Sequence, residues 1–113
     1  MHTHTLWAAR VAAGTVLPDK RLPARLACIL ATCAERPSDA IPQAAGSWGQ
    51  AKGIYRFLAN PRVQPAALQQ GLTSDTALQC LAQPTVLVVQ DTTSLHLTGC
   101  RVLPELGPIG SGH

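Results

Sequence analysis

Apolar residues between Asp19 and Pro37 recur at helical spacing. Leu22, Leu26, Ile29, Leu30 and Cys33 fall at i, i+4, i+7, i+8 and i+11, one stripe of an amphipathic helix. Its start is expected between Asp19 and Leu22, where Pro23 is tolerated in the first turn, and Pro37 ends it. A second helix is predicted from about Ser47 to Ala59. Trp48, Ala51, Tyr55 and Leu58 share one face, read as the core face, while Lys52 and Arg56 lie four apart on another. Asn60-Pro61 stops this helix, because proline disfavours helical geometry in the residue before it. Pro65 suits the first turn of a third helix running to about Leu81, with a weaker period and with Gly71 inside it at a cost of roughly 1 kcal/mol relative to Ala. Residues 5–13 suit a short helix ending at Gly14, and 38–49, punctuated by Pro42, Gly46 and Gly49, read as a loop with one helical turn.

After Pro84 the period changes. Thr85–Gln90 (TVLVVQ) is β-branched and almost wholly apolar, as in a strand covered on both faces. The polar cluster Asp91-Thr92-Thr93 follows, then Ser94–Thr98 alternates like a half-exposed strand, and the rest is rich in Gly and Pro. A two-stranded hairpin cannot cover itself. The expected fold is therefore mainly α, a helical domain followed by a β-hairpin that begins an uncompleted sheet domain.

Composition narrows this further. A hydrophobic content of 46% argues against disorder throughout. The core must be mainly aliphatic, since Trp7, Trp48, Tyr55 and Phe57 are the only aromatics. No apolar run approaches the ~20 residues of a membrane helix. The opening MHTHTLWAAR has no secretory pattern, so a cytoplasmic chain is expected, with no membrane partner. Cys28, Cys33, Cys80 and Cys100 form no CxxC pair and find no convergent histidines for zinc; they are expected to be small apolar fillers without disulfides. Ser94 and His96, two apart in an expected strand, have no orienting acid and make no nucleophile site.

Charge adds a candidate chemistry. Residues 1–62 hold eight basic side chains (Arg10, Lys20, Arg21, Arg25, Arg36, Lys52, Arg56, Arg62) against three acids (Asp19, Glu35, Asp39), a net +5. Residues 63–113 hold Arg101 against Asp75, Asp91 and Glu105, a net −2. A basic first half fits a polyanion partner. Lys20, Arg21 and Arg25 on one helix, with Lys52, Arg56 and Arg62 around another, would neutralise phosphates of duplex DNA and release counterions. Arg36 and Tyr55 complete the candidate DNA-binding set. Ser38, Gln43, Ser47 and Gln50 are further hydrogen-bonding candidates. No feature suggests a small-molecule substrate.

Asp91, after a buried apolar strand, suits either a metal ligand or a turn aspartate bonding the Thr92 and Thr93 amides. Two-metal phosphoryl chemistry needs several convergent carboxylates, and Glu105 is the only acid after Asp91.

The segments DKRLPARL (19–26), IPQAAGSWGQAKGIYRFLANPRV (41–63), VLVVQDTTSLHLTG (86–99) and LGPIG (106–110), in this order and spacing, resemble bacterial cut-and-paste DDE transposases. The resemblance is to the group with a helical transposon-end-binding domain ahead of an RNase H-like catalytic domain. It implies an N-terminal extension over 1–16, where only Trp7 matches the usual opening, and an end-binding domain over 17–83. It implies the truncated start of the catalytic fold over 84–113. Asp91 matches the first acid of the DDE triad, which in the family binds a divalent metal, usually Mg²⁺. The second Asp and the Glu have no counterpart here, and Pro18 stands where Gly is common. The expected activity is binding of transposon-end double-stranded DNA without catalysis by this chain alone. The alternatives are an inhibitory fragment that self-associates or joins full-length transposase, a relic without function, and part of a Mg²⁺-dependent enzyme completed by another polypeptide.

Overall fold

The computed structural model describes residues 3–95. These form five helices: α1 (Thr3–Ala13), α2 (Arg21–Glu35), α3 (Ile41–Ala45), α4 (Trp48–Ala59) and α5 (Pro65–Leu81). Their ends follow local chemistry. Ser47 caps α4, its Oγ accepting from the Gln50 amide at 3.2 Å. This occupies the Ser47 hydroxyl, one of the hydrogen-bonding candidates for DNA contact. Pro42 and Pro65 lie in the first turns of α3 and α5, where a missing N–H costs nothing. Gly46 closes α3 at φ 77°, the left-handed conformation in which a side chain is strained.

The core joins α1, α2 and α4. Ala12, Leu26, Ile29, Ile54, Phe57 and Val63 are buried together, with Leu17, Leu22, Leu30 and Leu68 packed half-buried against them. Residues 3–13, grouped in sequence with an N-terminal extension, bury Ala8, Val11 and Ala12, and α1 packs on α2 more extensively than any other helix pair. α5 docks on α1. Arg10 Nε donates to Asp75 Oδ1 at 3.0 Å, and the Thr15 hydroxyl, donating to Val11 O at 2.7 Å, lies against Gly71.

Three expectations need correction. The buried face of α4 is Ala51, Ile54 and Phe57, about one residue step around the helix from the face read as core. Trp48, Tyr55 and Leu58 are exposed, at 67%, 42% and 54%. Lys52 borders the Trp48–Tyr55 stripe, so burying that stripe would draw a cation out of water, whereas the Ile54–Phe57 stripe carries no charge. Cys28 and Cys33 are exposed and Cys80 is half-buried, flanking the apolar stripes rather than filling the core; Cys100 lies outside the described residues. Finally, residues 85–95 contain no strand, because no neighbouring segment among the described residues offers a hydrogen-bonding ladder. Val86 to Val89 are exposed, as expected of an apolar row that no further strand covers. Residues 96–98 of the expected second strand lie outside the described residues. Among those residues, no helix is long and apolar enough to cross a membrane.

Candidate nucleic-acid interface

The basic residues are distributed by α2, α4 and the turn after α4. Lys20 and Arg21 stand at the start of α2 and Arg25 one turn further on, all exposed. Asp19 organises this end. Its Oδ1 accepts from the Arg21 amide at 2.9 Å, and its Oδ2 pairs with Arg21 Nη2 at 3.2 Å. The Arg21 side-chain hydrogen bond, then its backbone hydrogen bond, hold the Asp19 carboxyl below the usual carboxylate range, and the charges of Arg21 and Arg62 add to this. The Arg21 guanidinium is correspondingly raised by Asp19.

Arg62 reaches this same end through the Asn60-Pro61 turn. Asn60 Oδ1 accepts from the Arg62 amide at 2.9 Å, so the motif that stops α4 also fixes where Arg62 leaves it. Arg21, Arg25 and Arg56 line one groove of about 290 Å³ between α2 and α4, with Leu22, Gly53, Phe57 and Asn60 as its remaining walls. Lys52 and Tyr55 are exposed on the outer side of α4, in helical register with Trp48. The solvent face of α4 therefore alternates cations with aromatic rings.

Arg36 is not part of this cluster. It caps the opposite end of α2, about 20 Å from Arg21 at 1.5 Å rise per residue. There it pairs with Asp39 at 2.6 Å and donates to Gln43 O at 3.2 Å, tying down the loop into α3. Asp91 is also apart: it is exposed, and its Oδ1 accepts from the Thr92 amide at 2.8 Å, the turn-aspartate geometry. Among the described residues, no group of three His, Cys, Asp or Glu side chains is placed to hold a metal. Among the described residues Asp91 is a single carboxylate with no second acid beside it, one ligand of the several that a Mg²⁺ site needs.

Two residues of this surface escape a charge-based reading. Trp48 reads as core by its spacing, and Gly53 has no functional group at all. The signal for Gly53 was available, since a glycine in the interior of a good helix needs a reason.

A family model described as transposase DNA-binding matches residues 4–63. The chain belongs to the transposase DNA-binding family. The match runs from α1 through the turn that carries Arg62, so it takes in every basic residue of the α2–α4 groove. α5 lies beyond it. No solved structure matches the chain. A DNA-binding transposase domain gives the exposed cations of α2 and α4 a partner class, because duplex DNA is a dense array of phosphates.

Proposed function

We propose that this chain binds the double-stranded ends of a transposable element through the α2–α4 face and does not cut them by itself. The observation that carries the reading is the cationic and aromatic surface of α4, Trp48, Lys52, Tyr55 and Arg56, flanked by Lys20, Arg21, Arg25 and Arg62. A 12-residue helix about 18 Å long fits the major groove, which admits one α-helix. In this arrangement α4 faces base edges, while Arg21, Arg25 and Arg62 beside it hold the phosphate backbone and set the register. Arg36 is committed to Asp39 and stabilises the domain instead of contacting DNA.

Residues 85–98 are, on this reading, the opening of an RNase H-like catalytic fold, with Asp91 as its first acid. Duplex cleavage at paired metals needs further carboxylates, and beyond Asp91 these 113 residues contain only Glu105.

Anisotropy titration of the 113-residue chain against labelled duplex DNA at several salt concentrations tests the reading. With about four to six phosphate contacts, log K should fall against log salt with a slope of roughly −4 to −5. No binding, or a slope near zero, would overturn it.

A further inference from the structure

Gly53 has no local conformational reason to be glycine. It lies in the middle of α4 with ordinary helical geometry, the one positive-φ glycine among the described residues being Gly46. In that position glycine costs a helix roughly 0.5–1 kcal/mol relative to Ala. The neighbouring helix supplies the reason. A Cβ placed on Gly53 would lie 2.9 Å from Arg25 Nη1, 3.4 Å from Cζ and 3.7 Å from Nη2. The Arg25 guanidinium thus lies across the α4 backbone in the space that a side chain would occupy. It makes no hydrogen bond or ion pair among the described residues, unlike Arg10, Arg21 and Arg36, each of which holds a carboxylate. It forms a wall of two grooves, one shared with Arg21 and Arg56 and the other with Thr32 and Gln50.

We infer that Gly53 is a positioning residue for DNA binding: its bare backbone seats the Arg25 guanidinium beside Arg56, so that Arg25 meets the DNA backbone while Arg56 and the rest of α4 face the adjoining base edges. This rests on the DNA-binding reading above. A long arginine side chain loses considerable rotamer freedom when it is fixed on a ligand. A seat that holds the guanidinium before DNA arrives lowers that loss at the moment of binding. A side chain at position 53 would move only the far end of Arg25, which is exposed and free to swing into water. The fold would tolerate the change, and the interface would not.

The experiment compares the full chain with its Gly53→Ala, Arg25→Ala and doubly substituted variants, using a labelled mixed-sequence duplex and thermal melting in parallel. Gly53→Ala is expected to melt at or above the temperature of the unsubstituted chain, because Ala favours the helix. It should nonetheless bind about tenfold more weakly, with the salt slope shallower by about 1, as for loss of one phosphate contact. Arg25→Ala should show the same loss, and the double variant no more than either single one. If Gly53→Ala binds like the unsubstituted chain, or if the two losses add in full, the seat is wrong while DNA binding stands. If the unsubstituted chain does not bind, the DNA-binding reading has failed and the seat falls with it.

Discussion

Phe57 and Trp48 lie on the same helix, nine residues apart, and do opposite work. Phe57 is 4% exposed and sits in the core with Leu26 and Ile29. Trp48 is 67% exposed beside Lys52. Phe57→Ala should therefore destabilise the chain by about 3–5 kcal/mol through the cavity it leaves. Trp48→Ala should change stability by less than about 0.5 kcal/mol and weaken DNA binding. Chemical denaturation and anisotropy titration of both variants check the pair; a large stability loss for Trp48→Ala would put this ring in the core after all. Among the cations, position and partner together separate the roles. Arg10 and Arg36 hold carboxylates away from the α2–α4 groove, Arg21 lines that groove while holding Asp19, and Arg25 lies over bare backbone.

Helix α5 shows how one small residue holds an element in place. Its period is weak, and it makes its main helix–helix contact with α1. Two features fix that contact: the Arg10–Asp75 pair and the approach of Gly71 to Thr15. A Cβ at Gly71 would collide with the Thr15 hydroxyl and come within 3.3 Å of its Cα, and that backbone has little room to yield. The glycine that weakens α5 as an isolated helix is what allows it to dock. Gly71→Ala should accordingly cost about 1–3 kcal/mol despite its better helix propensity. Amide exchange should quicken in α5 while α2 and α4 stay protected; a more stable variant would show that Thr15 yields easily. Gly53 has the opposite sign, since the group above it is a flexible guanidinium.

Across the whole molecule, charge and chemistry are separated along the chain. The cations of the candidate interface lie on α2, α4 and the turns that flank them, within the matched family segment, and Asp91 lies beyond α5. We expect the purified chain to leave end-containing DNA uncut at any Mg²⁺ or Mn²⁺ concentration, because one exposed carboxylate cannot hold an ion that gives up its water reluctantly. Asp91→Ala should leave DNA affinity unchanged. Nicking of a plasmid that this substitution abolishes would instead mean that further carboxylates reach Asp91 from a second polypeptide.

Much of the helical order was legible in the sequence because its signals are local. Proline at 65, Ser47 before α4 and Asn60-Pro61 after it bound the helices through backbone hydrogen bonding and steric exclusion within a few residues, whereas Pro42, read as loop punctuation, lies in the first turn of α3. The cationic first half was equally visible, since charge is counted without knowing the fold. The facing of α4 was not. Its sequence carries two overlapping apolar stripes, and the apolar period alone does not choose between them; the charge of Lys52 beside one stripe and the packing of the other against its neighbours decide. The pairing of each arginine was hidden for the same reason: Asp75 lies 65 residues from Arg10, and Gly53 lies on a different helix from Arg25. Composition and spacing determine that this chain makes basic helices. Only their packing decides which cations are left free to meet DNA.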